Sequence, residues 1–179
     1  MKIIMDVKLK NFEDEINRTI LVDDNLCLRV FCEALIFSMN GKIRHDYNIK
    51  HKDKTFFSKG HKIKADKEYL ISHRKVATFK LQKEDKIILK YDSNCNWEFI
   101  ITIKDFVEES TNKLFTILSG IGKGIIEDCG GIWNLEELVY GEPDIDIIKW
   151  YIDKDDLEYD INDFNINKLN NKIDELYNN

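Results

Sequence analysis

The chain lacks most of the features that mark secreted, membrane-bound or redox-active proteins. Its 179 residues include one proline and eight glycines, and no run of about 18 apolar residues that could cross a bilayer. The apolar run at the N-terminus is short and is interrupted at Asp6, so we expect no signal peptide. The four cysteines lack CxxC spacing, which favours reduced thiols. We therefore expect a cytoplasmic protein that makes no contact with a membrane.

What the chain does contain is a sizeable apolar fraction and an uneven distribution of charge. Hydrophobic residues make up 43% of the chain, which is enough for one core, and we expect a single domain over residues 1–179. Residues 42–90 hold 15 Lys or Arg against 6 Asp or Glu, and all four histidines. Residues 127–179 hold 15 acidic and 4 basic side chains. We favour mutual attraction of the two regions; alternatively, the basic region contacts phosphate and the acidic region contacts a basic partner.

Hydrophobic periodicity predicts two strands and a helix at the N-terminus. Residues 2–9 and 16–22 alternate as strands do, and a hairpin would join them. Asp23 and Asp24 are suitable N-caps for a helix over residues 25–39. Because that helix is apolar nearly all round, we expect it to be buried in the core.

The remaining pattern predicts more strands and then helices. Strands are predicted at 43–50, 76–81, 86–92, 97–104 and 114–118, and helices at 134–139, from Asp144, and at 163–177. Turn residues 92–96 would join two of these strands as a hairpin. Strands and helices do not alternate regularly, so we predict an α+β fold: a mainly antiparallel sheet packed on a buried N-terminal helix, with C-terminal helices. Residues 1–126 would form the sheet-rich part, and residues 127–179 the acidic helical part.

The most distinctive stretch is Glu127-Asp128-Cys129-Gly130-Gly131. Glycine allows positive φ and close approach to the backbone, so the pair predicts a turn that presents the side chains before it. Cys129 could be a nucleophile with His45 as its base. A zinc ion would want about four ligands, which Cys129, Cys95, His45 and Asp128 could supply. Their spacing does not support such a site, so we favour a structural turn and predict no metal and no cofactor.

Two further groups of residues are candidates for binding. Tyr91, Asp92, Trp97 and Trp133 could line a ligand groove, although a hairpin that packs its aromatic face on the core is the simpler interpretation. Basic residues with aromatic residues between them could follow a nucleic-acid backbone, or form a solvated loop. These basic residues are Lys50, Lys52, Lys54, Lys59, Lys62, Lys64, Arg74 and Lys75.

Three motifs in order along the chain resemble those of a known family. They are Tyr91-Asp92 followed by Trp97-Glu98, the Glu127–Gly131 stretch with a short helix after it, and Trp150 followed by Asp160–Phe164 and Asn167. The chain resembles the plasmid pRiA4b ORF-3-like family, which has a Tyr-Asp-Phe-Gly-Asp-x-Trp-x-His hairpin and a Pro-Glu-Asp-Cys-Gly-Gly turn. Its members are also described as passenger proteins of an IS1096-type element. This chain differs in having Phe99 in place of the histidine and Ile126 in place of the proline.

The resemblance implies an α+β fold and a setting in mobile elements or phage, without an established reaction. We expect a binding protein without catalysis that contacts another protein through its acidic C-terminal third, for example to inhibit a host defence system. One alternative is a nucleic-acid or nucleotide binder that uses residues 42–90. Another is a small metal- or thiol-dependent enzyme centred on Cys129 and Asp128.

Overall fold

The computed structural model describes residues 1–58, 62–71, 73–141 and 159–178, and within them eight strands form one sheet. The strands are β1 (Lys2–Leu9), β2 (Asn17–Asp23), β3 (Tyr47–His51), β4 (Lys54–Phe57), β5 (Glu68–Leu70), β6 (Lys86–Tyr91), β7 (Trp97–Val107) and β8 (Phe115–Ile121). Their spatial order is β5-β4-β3-β6-β7-β1-β2-β8. Only the β4–β5 pair is parallel among these neighbours, which confirms the predicted α+β fold with a mainly antiparallel sheet.

Three α-helices are described: α1 (Leu28–Ser38), α2 (Ile132–Tyr140) and α3 (Ile166–Tyr177). Phe31 and Leu35 of α1 are fully buried in one apolar cluster with Met5, Val7 and Ile101 of the sheet. None of the described helices combines the length and the apolar character that a membrane span requires. The helix predicted from Asp144 and the motif residue Trp150 lie outside the described residues.

The edge strand β8 is covered by two asparagine side chains, that of Asn170 on α3 and that of Asn178, the C-cap of α3. Asn170 both accepts a hydrogen bond from the backbone of Ile117 and donates one to it, each at 2.8 Å. Asn178 does the same with Phe115, at 3.1 and 2.9 Å. An exposed strand edge invites pairing with another chain, so these two amides shield the end of the sheet.

Helix α1 begins later than predicted because its expected caps are engaged elsewhere. The N-cap residue is Cys27, without a side-chain hydrogen bond. Asp23 instead accepts from the backbone of Asn25 and pairs with Lys2 at 3.0 Å, while Asp24 pairs with the N-terminal amine. Asp23 and Asp24 therefore stabilise the connection between β2 and α1 and do not cap the first turn of the helix.

Two other sequence-based boundaries were wrong for identifiable reasons. Residues 76–81 do not form a strand: Val76–Phe79 is a 3-10 helix, whose first backbone N–H donates to Leu26 and so places this turn against the start of α1. The strand predicted at 43–50 begins only at Tyr47, because Ile43 adopts a left-handed φ of 56°. A backbone partner from a distant segment thus decides the first case, and a local backbone conformation decides the second.

A buried arginine connects β2 to the end of α1 and to the chain after β8. Arg18 is 1% exposed and its guanidinium stacks on Phe164 at 4.2 Å. Its nitrogens donate to five backbone carbonyls, those of Asn17, Ser38, Ile121, Gly122 and Lys123. It thus holds the segment that leads to the Glu127–Gly131 turn.

Candidate functional site

Ionisable side chains from three parts of the chain meet around the imidazole of His45. Its Nε2 lies 2.9 Å from Oδ1 of Asp128, 3.5 Å from Oε2 of Glu127 and 3.8 Å from Oδ2 of Asp92. His45 precedes β3, Asp92 follows β6, and the other two carboxylates follow β8. One possible ligand atom from each of His45, Glu127 and Asp128 lies within 4.8 Å of the others.

Strand pairing explains how His45 and Asp92 come together. Strands β3 and β6 are antiparallel neighbours in which Tyr47 pairs with Tyr91. The residue after Tyr91 therefore lies beside the residues before Tyr47. Asp92 has a left-handed φ of 56°, and its backbone N–H donates to Asp46 at 2.9 Å. The sheet register thus places one carboxylate next to the histidine.

Glu127 is the most constrained member of this group. Its side chain is 2% exposed, and its Oε1 accepts from the Tyr91 hydroxyl at 2.7 Å and from the backbone N–H of Lys42. Its Oε2 is buried and has no hydrogen-bond partner among the described residues. A buried carboxylate is costly unless donors or a cation offset its charge. The free oxygen points toward His45, 3.5 Å from Nε2.

Tyr91 supports Glu127 as a permanent donor. Burial, and then the hydrogen bond to Glu127, raise the pKa of Tyr91 well above its usual value, so the phenol stays protonated. The phenolic oxygen of Tyr91 also accepts a hydrogen bond from the backbone N–H of Arg44 at 3.0 Å. Glu127 is therefore held in one position by groups that do not titrate near neutral pH.

The Gly-Gly pair forms the predicted turn and packs against the β6–β7 loop. Asp128, Gly130 and Gly131 have φ of 58°, 90° and 92°. A Cβ at Gly131 would lie 2.5 Å from the carbonyl oxygen of Cys95. Asn134 does not cap α2 as predicted; its side chain donates to the carbonyl of Cys129 at 2.6 Å and closes the turn, while Gly131 is the N-cap. Only glycine fits this contact.

The thiols lie beside this group of carboxylates but are constrained differently. Cys129 is 3% exposed and its Sγ lies 3.6 Å from the carbonyl oxygen of Gly131. Burial, and then a hydrogen bond to Asp92, raise the pKa of Cys95 to about 12, which keeps this thiol protonated. The group of potential ligands identified in the described residues consists of one imidazole and carboxylates, rather than the sulfur-containing set considered from the sequence.

Three of the four residues considered for an aromatic groove are neighbours at the β6–β7 hairpin, where Tyr91 pairs with Trp97 and Asp92 follows Tyr91. Tyr91 and Trp97 are each 1% exposed, in agreement with a hairpin that packs its aromatic face on the core. Trp133 is 76% exposed on α2. Tyr91 and Asp92 belong to the His45 site, whereas Trp133 lies on an exposed face of α2.

The basic segment is arranged on β3, β4 and the chain around β5. Arg74 is half-buried and Lys59 lies outside the described residues, while the other predicted residues are exposed: Lys50, Lys52, Lys54, Lys62, Lys64 and Lys75. Two short strands that the sequence analysis did not predict, β4 and β5, lie within this basic segment.

Sequence patterns gave no sign of the contribution of backbone donors such as Lys42 and Arg44 to the His45 site, because any residue supplies an N–H.

Comparisons with known proteins concern the family and the fold. A model of the family described as Plasmid pRiA4b ORF-3-like protein matches residues 2–168. The chain is similar to a solved structure, the protein of unknown function MM3350 from Methanosarcina mazei Go1, with 16% sequence identity and a TM-score of 0.71. That match covers 93% of this chain and 96% of the other. None of the curated proteins matches the chain. At this identity the structural likeness shows the fold alone.

Proposed function

The chain belongs to the plasmid pRiA4b ORF-3-like family, and we propose that it binds a divalent metal ion between His45, Glu127 and Asp128. The observation that carries the proposal is the buried Oε2 of Glu127, which lacks a hydrogen-bond partner among the described residues and faces an imidazole nitrogen. A cation between these atoms would offset the buried charge. The proposal departs from the expectation of no metal, which rested on sequence spacing.

The distances in this group are suited to a metal ion. Two ligand atoms bound to one ion at about 2.0–2.1 Å lie about 3.0 Å apart in octahedral geometry and about 3.4 Å apart in tetrahedral geometry. The carboxylate oxygens of Asp128, Glu127 and Asp92 lie 2.9, 3.5 and 3.8 Å from Nε2 of His45. Small side-chain movements would bring them to a common ion. Asp92 is a candidate fourth ligand.

The donor set favours particular ions. One imidazole nitrogen with carboxylate oxygens suits Zn²⁺, Mn²⁺ or Fe²⁺ better than soft, thiolate-preferring ions. His45 and Asp128 have side chains 26% and 42% exposed, so one side of the site is open to solvent. Metal sites that keep an open position can polarise a ligand or activate water. The proposed function is therefore metal-assisted binding of a ligand. Metal-assisted hydrolysis is the type of reaction that this geometry favours.

A cavity next to the site could admit the ligand. It has a volume of about 660 Å³ and His45 forms part of its wall, together with Ile43, Tyr47, Phe57 and Leu70. Binding sites for small molecules are mostly apolar and contain a few polar groups, with volumes of about 300–1,000 Å³. The cavity is in that range, and its mixed wall favours a partly apolar ligand with a polar group directed at His45.

Titration of metal-free protein tests the metal site. We expect one equivalent of Mn²⁺ or Zn²⁺ to bind in isothermal titration calorimetry and to raise the melting temperature. Glu127→Gln should weaken binding at least 100-fold, since loss even of residues that support a ligand costs about 10–100-fold. The same variant without metal should melt no lower than wild type, because it removes a buried charge. The control is Glu98→Gln, which changes a carboxylate that pairs with Lys10 and Lys90 instead.

Two results would contradict the proposal. The first is a wild-type protein that binds none of these ions more tightly than about 1 mM, the weak end of specific affinity. The second is a Glu127→Gln variant that binds as tightly as the Glu98→Gln control. Either result would leave the cluster with a purely structural role.

A second candidate function is supported by the exposed aromatic surface of α2. Trp133 is 76% and Tyr140 62% exposed, and tryptophan and tyrosine are enriched where binding energy concentrates in protein interfaces. This surface supports the expected protein partner in a cytoplasmic mobile-element or phage setting. Pull-down with Trp133→Ala is the test, and Leu118→Ala, which changes a 46% exposed residue on β8, is the control. Retention of all partners by Trp133→Ala would contradict a role for this surface.

A further inference from the structure

A second, smaller cavity lies at the opposite end of β3 from His45. It has a volume of about 230 Å³ and is close to β3, β4, β5 and the 3-10 helix. Strand β3 runs from Tyr47 to His51, so the two sites are separated by the length of this strand. The walls of the cavity combine three aromatic rings, Phe56, Tyr69 and Phe79, with three cationic side chains, Lys52, Lys54 and Arg74.

Among the described residues, Arg74 is held by aromatic rings rather than by a carboxylate. Its guanidinium carbon lies 5.5 Å from the ring centroid of Phe56 and 5.2 Å from that of Tyr69. These two rings stack on each other at 5.2 Å. Contact with a ring face leaves the in-plane N–H groups of a guanidinium available. The Nε of Arg74 is buried and has no hydrogen-bond partner in the part of the chain that the structure describes.

The carboxylates near this cavity are already engaged by lysines. Asp53, which lines the cavity, pairs with Lys67 at 2.5 Å. Asp85 pairs with Lys52 at 3.4 Å. Lys54 is exposed on β4. An oxyanion that enters the cavity would therefore meet Arg74 and Lys54, while Asp53 and Asp85 are paired with Lys67 and Lys52.

We propose that this cavity binds the phosphate group of a small phosphorylated molecule, with Arg74 as the main donor and Lys54 as a supporting charge. The fork of N–H groups in arginine matches a phosphate, which can accept two parallel hydrogen bonds. The proposal is independent of the metal site, because it uses other residues at the other end of β3.

The size of the cavity and the charge of the chain favour a small ligand over a nucleic acid. A volume of about 230 Å³ is below the range of about 300–1,000 Å³ that is typical of drug-sized ligands. It accommodates one phosphate and the group attached to it, whereas a nucleic-acid strand needs a groove that spans several phosphates. The acidic region at residues 127–179 also disfavours a long polyanion that extends beyond the basic segment.

Nuclear magnetic resonance and calorimetry together test the site. Inorganic phosphate, AMP and a single-stranded oligonucleotide serve as probes, each at the same ionic strength. We expect phosphate or AMP to shift the ¹H–¹⁵N resonance of the Arg74 Nε–H group and to bind with 1:1 stoichiometry. If AMP binds more tightly than phosphate, the preferred ligand is a phosphomonoester. If the two bind equally, the phosphate ion alone accounts for binding.

Variants distinguish a built site from general attraction by a basic surface. Arg74→Gln should weaken binding of AMP about tenfold or more, which is the loss expected for one charge-assisted interaction. Lys54→Gln should weaken it about threefold at constant ionic strength. The matched control is Lys50→Gln, which removes the same charge from β3 at an exposed residue that does not line the cavity. Melting temperatures establish that each variant folds. If Arg74→Gln does not fold, Arg74→Lys replaces it as the test variant, because it keeps the charge and removes the fork of N–H groups.

Three outcomes would overturn the proposal. One is the absence of a shift of the Arg74 Nε–H resonance at phosphate or AMP concentrations of about 10 mM, well above a weak dissociation constant. Another is an equal loss of affinity in Lys50→Gln and Lys54→Gln, which would indicate diffuse electrostatic attraction. The third is tight oligonucleotide binding with steep salt dependence and little binding of AMP, which would assign the basic segment to nucleic acid instead.

Discussion

Replacement of Arg18 by methionine should destabilise the protein by about 4 kcal/mol. The side chain is 1% exposed, and it donates to five backbone carbonyls that lie in β2, at the end of α1 and in the chain after β8. Methionine keeps much of the apolar stem but none of the donors. The variant therefore isolates the hydrogen-bonding role of the guanidinium from its packing.

The magnitude follows from two opposing contributions. Burial lowers the pKa of Arg18 to about 10, which corresponds to about 3 kcal/mol of unfavourable desolvation. At about 1.5 kcal/mol for each hydrogen bond from a charged donor, the five bonds exceed that cost by about 4 kcal/mol. Arg18→Lys keeps the charge but has no planar fork to reach all five carbonyls, so it should lose about half as much.

Urea denaturation followed by the fluorescence of the buried Trp97 measures this loss. With a slope of about 2 kcal/mol per molar urea, the midpoint should fall by about 2 M. Arg29→Met is the control, because Arg29 is 60% exposed and pairs with Glu33 at one turn's distance on α1; it should cost less than about 1 kcal/mol. An Arg18→Met variant within about 1 kcal/mol of wild type would refute the argument that these hydrogen bonds outweigh desolvation.

Three further predictions concern the turn, a buried histidine and the tryptophans. Gly131→Ala should cost about 2–4 kcal/mol in thermal denaturation, because φ is 92° and a Cβ would lie 2.5 Å from a carbonyl oxygen of the β6–β7 loop. Burial lowers the pKa of His51 in the folded protein, so stability that is present above the unfolded value of about 6.5 should decrease as the pH falls below it. His51→Gln should flatten the stability profile between about pH 7.5 and 5.5. Trp97→Ala should cost about 3–5 kcal/mol and Trp133→Ala less than about 0.5 kcal/mol, as measured by urea denaturation.

Each of these three predictions would be contradicted by one result. An alanine at position 131 without loss of stability would mean that the turn relaxes away from the β6–β7 loop. A wild-type profile as flat as that of His51→Gln would mean that the interaction with Asp85, 3.3 Å away, cancels the effect of burial. Equal losses at the two tryptophans would contradict their difference in exposure.

Local patterns were sufficient to predict much of the sheet. Alternation predicted β1 at 2–9 with its observed bounds and placed β2, β6 and β8 within a few residues of their observed ends. The turn residues at 92–96 predicted the β6–β7 hairpin. These features depend on side chains that alternate between core and solvent, and on turn residues whose preferences are intrinsic. Strands β4 and β5 were missed because they are only four and three residues long and lie in a lysine-rich segment with little apolar alternation.

The candidate site was only partly accessible to the same reasoning. The Glu127–Gly131 stretch stood out because carboxylates followed by paired glycines imply a turn that presents side chains. His45 was named as a candidate base for Cys129 and, with Asp128 and the two thiols, as one of four possible zinc ligands. The sheet register, rather than sequence spacing, brings His45 to the carboxylates and leaves Cys129 buried against its own turn.

The sequence by itself determined the α+β class, the hairpins, the glycine turn and the separation of a basic segment from an acidic one. These depend on periodicity, intrinsic backbone preferences and composition, all of which are local. Only the tertiary structure decided that Oε2 of Glu127 faces His45, that Arg18 spans five carbonyls and that Arg74 stacks on two rings. Such contacts join residues far apart in the chain, and their energies depend on burial, which no local pattern specifies.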